Sequence, residues 1–208
     1  MTRLFGFYTQ NTLKCLYTLE ELGTDYDFHL VDLFKGEQRQ DDFLKLNPVG
    51  KVPVLQVGDE SLFESGAICR YLANAAGSDS YPADPMARAK VDQWMDFFSV
   101  HLGHWLNTQY FENVIKVKAQ MGEPNMEKCA EARKFALTQM AIVDTHLADH
   151  TYLCGDQLTI ADLFAFAYIE QVEHLDFSWN DFPHAKAWFD RIESRDSIQR
   201  GRAKVTPL

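Results

Sequence analysis

The apolar period of this chain changes once, across residues 77–85, and does not change back. Before that stretch, runs with the two-residue alternation of a strand interleave with runs at helical spacing; after it, every periodic run is helical. Any sheet must therefore be built from residues 2 to about 76. "RLFGFYT" reads as a strand, and "TLKCLYTLEEL" as a helix with Leu13, Leu16 and Tyr17 on one stripe, stopped by Gly23. "DFHLVDL" alternates as a second strand, "QDDFLKL" is a short amphipathic helix, "VPVLQV" and "SLFE" make a hairpin across Gly58-Asp59, and "SGAICRYLANAA" is a third helix. This βαβαββα order predicts a small mixed sheet with helices packed on it.

The connecting "GSDSYPADP" carries Gly, Ser, Asp and two prolines without periodicity, the composition of a linker. Domains are expected at 1–78 and 86–208, the second all-helical: "MARAKVDQWMDFFSVHLGHWLNTQYF", "MEKCAEARKFALTQMAIVDTHLADH", "IADLFAFAYIEQV" and "AKAWFDRIES" all carry helical spacing. Thr159 and Asp162 have the spacing of a capping box, with Leu158 and Leu163 placed as a hydrophobic staple. Ile160, Leu163, Phe164, Ala167 and Tyr168 then share one face, expected to be core.

A length of 208 residues, 46% of them hydrophobic and 24% charged, suits one large domain or two small ones. The formal net charge of −10 opposes binding to nucleic acid or to an anionic membrane surface. No apolar run is long enough to span a bilayer, and "MTRLFGFYTQ" has no secretory pattern, so a cytoplasmic protein is expected. Cys15, Cys69, Cys129 and Cys154 are scattered without a CxxC pair, which signals neither a zinc site nor a dithiol centre. Reduced, mostly buried thiols and no metal are expected.

Three short stretches carry chemistry. In "NPVGKVPVL" a proline at the second position of an apolar run speaks against an ordinary central strand, because proline has no N–H for the ladder. A cis Val52–Pro53 bond would turn the chain and leave Val52 with main-chain groups for an extended peptide; a trans proline on an edge strand is the plainer alternative. In "FESGAI", Ser65 is a natural N-cap, and the helix start favours a carboxylate while Glu64 can hold an ammonium. Together these describe an α-amino acid head; alone, they are only a cap and a dipole partner. In "YTQNTLK", Thr9 or Asn11 at a helix start stabilises a thiolate over a thiol by hydrogen bonding, or merely caps that helix.

In this order and at these spacings, "NPVGKVPVL", "FESGAICRYL" and "LTIADLFAFAYI" resemble hallmark segments of the cytosolic glutathione S-transferases, and the resemblance covers essentially the whole chain. It implies a thioredoxin-like N-terminal domain followed by an all-helical C-terminal domain, with glutathione as cosubstrate. It makes Pro53 a cis-proline and pairs the Val52 backbone with the cysteinyl part of the tripeptide. Glu64 and Ser65 then hold the γ-glutamyl head, and Gln38, in "KGEQ", and Lys51 reach the glycine end. "TQNTLK" is similar to the "TPNGxK" pattern of bacterial nu-type members, in which a Thr and an Asn face the sulfur. Gln10 and Thr12 depart from that pattern, so Thr9, Asn11 and Tyr8 all stand as sulfur partners. A catalytic cysteine is absent at this place, and Cys15 falls inside the helical pattern.

The helical domain is expected to supply the pocket for a hydrophobic electrophile, with His101, His104, Trp105, Tyr110 and Phe111 as lining or as core. The implied activity is a detoxifying glutathione transferase acting as a cytoplasmic homodimer. Glutathione-dependent disulfide reduction and a non-catalytic glutathione or hydrophobic-ligand module are the alternatives.

Overall fold

The computed structural model describes residues 1–205, which form two compact units: Met1–Tyr81 with the described residues from Ser194 on, and Pro82–Glu193. The first unit runs β1 (Thr2–Gly6), α1 (Gln10–Leu22), β2 (Asp27–Leu30), α2 (Asp41–Leu46), β3 (Val54–Val57), β4 (Glu60–Phe63) and α3 (Ser65–Ala75). The sheet order is β2-β1-β3-β4, with β1 parallel to β2, antiparallel to β3, and β3 and β4 forming the hairpin. This is a thioredoxin-like arrangement.

The edge-strand reading of "VPVL" is corrected here, because β3 is paired on both sides. Pro53 stands one residue before Val54, the first residue in register, so its missing N–H falls outside the ladder. The Val52–Pro53 bond is cis. Paired Phe5 and Val54 face a cluster of Val31, Phe43, Leu33, Leu46 and Val52, while paired Leu4 and Leu55 point to the opposite face and are fully buried.

Local chemistry sets the element ends. Thr9 caps α1 by accepting the Thr12 N–H at 3.2 Å, and Gly23 ends it in the left-handed conformation, φ 61°. A last helix, α10 (Asp196–Arg202), packs on α1. Arg195 and Ser197 bond Glu21, Arg200 bonds Glu20, and Gly201 lies so close to Tyr17 that an added Cβ would stand 2.7 Å from the ring.

The second unit contains α4 (Pro85–Phe97), α5 (Gly103–Tyr110), α6 (Lys116–Lys118), α7 (Met126–Leu147), α8 (Ile160–Ile169) and α9 (Pro183–Glu193). Two π-helical turns, Phe98–Leu102 and Phe111–Ile115, link α4 to α5 and α5 to α6, where helical spacing alone predicts an unbroken helix. Every residue of α8 is buried, beyond the single face expected, because α4, α5 and α9 all pack against it. The Asp162 carboxylate takes the Thr159 N–H and O–H at the start of α8, plus the Leu153 N–H and the Trp188 indole N–H. Among the described residues no helix is long and apolar enough to cross a membrane.

Candidate functional site

The packing of α1 on α3 brings together residues more than fifty positions apart. At the start of α1, the Asn11 carbonyl oxygen Oδ1 accepts from Lys14 Nζ at 2.7 Å and from Ser65 Oγ at 3.4 Å. Both bonds use the amide oxygen, so the two N–H donors of this half-buried side chain are uncommitted among the described residues. The Thr9 hydroxyl, by contrast, is engaged in its own helix start, capping Thr12 N and sharing a 3.1 Å bond with Thr12 Oγ1. Tyr8 is half-buried beside it.

Ser65 is not the N-cap that "FESGAI" suggests. It is the first residue of α3, and Glu64 occupies the cap position with no capping bond from its side chain. The reason is visible at Ser65 Oγ, which turns across to Asn11 instead of back to its own helix. Glu64 is held at φ 71°, ψ 111°, outside the usual regions for a non-glycine residue, and its carboxylate is exposed. The first turn is closed by Ile68 N donating to Glu64 O at 2.9 Å. The remaining N–H groups of that turn and the positive dipole end face the region beside Glu64.

The β3–β4 register, Val54 opposite Phe63, sets Val52 and Ser65 at the same end of the hairpin. Neither the N–H nor the C=O of Val52 bonds any described residue. The loop leading to it is held by buried Asn47, whose Nδ2 donates to Lys51 O at 2.7 Å and whose Oδ1 accepts Val49 N at 3.0 Å. Sequence reading passed over Asn47; the only signal for it is its place before a proline and a glycine turn. Gln38 donates to Leu33 O at 3.5 Å, and its buried Oε1 has no partner among the described residues. The Lys51 side chain is exposed.

Lys14 was also missed as a site residue, although its i, i+3 spacing from Asn11 puts both on one side of α1. It is fully buried. Burial pushes its ammonium down to about 7, against the opposing pull of Cys69, Cys15 and Glu64. Burial also holds the Cys15 thiol well above its ordinary range, and Cys15 Sγ donates to Ser65 O at 3.8 Å. Cys15 is therefore a packed thiol and no nucleophile.

The residues expected to line a substrate pocket all lie in the second unit. His101 and His104 are exposed, Trp105 is half-buried and stacks on Phe135 of α7 at 4.7 Å, Tyr110 meets the His174 ring at 5.7 Å, and Phe111 is exposed. Burial first, and then Glu170, raise the Tyr110 hydroxyl above its ordinary value, so it is a neutral donor. Among the described residues no group of three His, Cys, Asp or Glu side chains gathers as a metal site would.

A thioredoxin-like unit with a cis-proline before its third strand, together with an all-helical unit, defines the glutathione transferase class of fold. Residues 2–74 match the family described as "Glutathione S-transferase, N-terminal domain", and residues 108–196 match "Glutathione S-transferase, C-terminal domain". Glutathione S-transferase 3 of Zea mays is 33% identical over 98% of this chain and 94% of its own, and glutathione S-transferase hmp2 of Hypomyces subiculosus is 31% identical over 98% of each. A theta class glutathione S-transferase of Xanthomonas axonopodis pv. citri, solved with glutathione bound, superposes with a TM-score of 0.88 at 30% identity over 96% of each chain. The chain belongs to the glutathione S-transferase family.

Proposed function

We propose that the chain lowers the pKa of the glutathione thiol and directs the thiolate at a hydrophobic electrophile. The observation that carries this reading is the pair of main-chain groups at Val52, unbonded among the described residues, at the hairpin end where α3 begins at Glu64–Ser65. The cysteinyl part of glutathione pairs with Val52 beside Pro53. Its γ-glutamyl carboxylate takes Ser65 and the N–H groups of the first turn of α3, its ammonium takes Glu64, and its glycine end reaches Gln38 and Lys51. The thiol then lies at the start of α1, where the uncommitted N–H donors of Asn11 stabilise S⁻ over SH; Thr9 supplies a second polar group. Asn11 leads Thr9 as sulfur partner because it carries two uncommitted N–H donors, whereas the single Thr9 O–H is shared with Thr12 Oγ1; Tyr8 stands as the third candidate.

The thiol proton passes to solvent, the sulfur lone pair forms a bond to the electrophilic carbon, and the leaving group departs with its electron pair. The protein contributes thiolate population and orientation. Residues 1–78 form the glutathione-binding part. The helical domain expected over residues 86–208 supplies the apolar second site from its part up to Glu193, since the residues from Ser194 on pack with the first unit, and His101, His104, Trp105, Tyr110 and Phe111 are its candidates. The "TQNTLK" segment supports a nu-like, bacterial assignment and a second reaction, glutathione-dependent reduction of small disulfides, since Cys15 is sealed in the packing. A cytoplasmic homodimer is part of the same reading, and sedimentation at micromolar concentration tests the assembly.

Calorimetric titration with glutathione tests the site. Glu64→Ala and Ser65→Ala are each expected to weaken binding about tenfold, the cost of one charge-assisted hydrogen bond of about 1.4 kcal/mol or more. Variants that bind as the wild type does would refute the assignment. Conjugation of a chlorodinitrobenzene-type electrophile and turnover of a small mixed disulfide separate the two reactions, and binding without either defines a non-catalytic module.

A further inference from the structure

The sulfur-facing group proposed above is an amide, and an amide has two faces. Asn11 stabilises a thiolate only if its N–H₂ end, and not its carbonyl, points toward the sulfur. A half-turn about the last side-chain bond exchanges the two ends at little intrinsic cost. Something must therefore choose between them, and the choice is made on the opposite side of the side chain.

Lys14 Nζ lies 2.7 Å from Asn11 Oδ1, the shorter of the two bonds on that oxygen. An ammonium has donors only, so a flipped amide would set N–H against N–H in a buried site. Lys14 is completely buried and comes from the same helix one turn on, so its nitrogen has little room to retreat. The second anchor, Ser65 Oγ at 3.4 Å, is long, and in the reading above that hydroxyl is given to the γ-glutamyl carboxylate when glutathione binds. Lys14 then remains as the fixed donor. As an ammonium Nζ bars the flipped amide outright; as a neutral amine it still donates to Oδ1 but also carries a lone pair, so the lock is strongest in the charged form.

We infer that Lys14 is a positioning residue for the reaction: by holding the carbonyl of Asn11 from beneath, it locks the amide with its donors toward the glutathione sulfur. This rests on Asn11 being the sulfur partner, and the test separates the two claims. Lys14→Met removes the donor, and an apolar chain of similar length in place of a buried cation is compatible with folding; Lys14→Leu reads the same quantities if the first variant does not fold.

Thiolate absorbance of bound glutathione, titrated against pH, and steady-state kinetics are measured for Asn11→Ala, Lys14→Met and the double variant. Lys14→Met is expected to raise the bound-thiol pKa by about one unit and lower kcat about tenfold, a factor that one hydrogen bond to an ionised group supplies. Its glutathione Kd is expected to stay within about threefold of the wild type. In the Asn11→Ala background the Lys14 change is expected to add less than about threefold, since the group it orients is gone. A wild-type thiol pKa in Lys14→Met alongside a shifted one in Asn11→Ala would overturn the positioning role and leave Asn11 standing. Independent, multiplying effects would equally overturn it, because Lys14 would then act on the sulfur by charge alone. An unshifted thiol in Asn11→Ala overturns the sulfur-partner reading and the positioning role with it.

Discussion

Replacing Asp162 with alanine removes four hydrogen bonds from one fully buried carboxylate. Oδ1 accepts the Leu153 N–H at 2.8 Å and the Trp188 indole N–H at 3.0 Å, and Oδ2 accepts the Thr159 N–H at 2.9 Å and its hydroxyl at 3.0 Å. The hydroxyl can turn elsewhere, but the three N–H donors are fixed by backbone or ring. A buried donor left without an acceptor costs about 1–3 kcal/mol. Water entering the space left by the carboxylate recovers part of that, so the expected loss for Asp162→Ala is about 4 kcal/mol. Asp162→Asn keeps an oxygen for Leu153 and Trp188 while its NH₂ meets the Thr159 N–H, an expected loss of about 2 kcal/mol. Equilibrium urea unfolding followed by tryptophan fluorescence measures both, with the slope checked for constancy. A loss under about 1 kcal/mol for Asp162→Ala, or a greater loss for Asn than for Ala, would refute the reasoning.

Gly103→Ala would drive a Cβ into Phe98 O and set it 2.6 Å from the Tyr168 ring, so a loss of about 2 kcal/mol is expected in the same urea assay. Burial raises the Glu21 carboxyl, but the Arg195 and Ser197 hydrogen bonds outweigh it and hold the group below the ordinary 4.5. A depressed carboxylate stabilises the fold above its unfolded pKa, so the advantage of wild type over Glu21→Gln should shrink as pH falls below about 4.5. Lys14 has the opposite arrangement, its folded value about 7 lying below the unfolded 10.5. The unfolded chain binds the extra proton between these values, so wild-type stability relative to Lys14→Met should rise from pH 7 toward pH 10.5 in thermal melts.

Much of the fold was legible because its signals are local. The strand-to-helix order, the Gly23 stop, the turn at Gly58 and the Thr159–Asp162 spacing each depend on a few neighbouring side chains. The site was legible in part. "TQNTLK" and "FESGAI" mark polar groups at helix starts, but only packing shows that Ser65 turns to Asn11, that the cap position belongs to Glu64, and that Thr9 is occupied by Thr12. Pro53 misled as an edge signal because the proline stands immediately before the first ladder position, Val54, a one-residue margin that periodicity does not resolve.

What the sequence determined by itself is the partition of this chain into a sheet-forming first part and a helical second part, along with most helix and turn boundaries, because period, caps and glycines act over three or four residues. The tertiary structure alone decided which strand lies inside the sheet, that α8 is buried on every side, that α10 returns to pack on α1, and that Ser65 reaches Asn11. Those outcomes depend on groups brought together from distant parts of the chain, and it is the desolvation and pairing of such groups, rather than local preference, that fixes their energies.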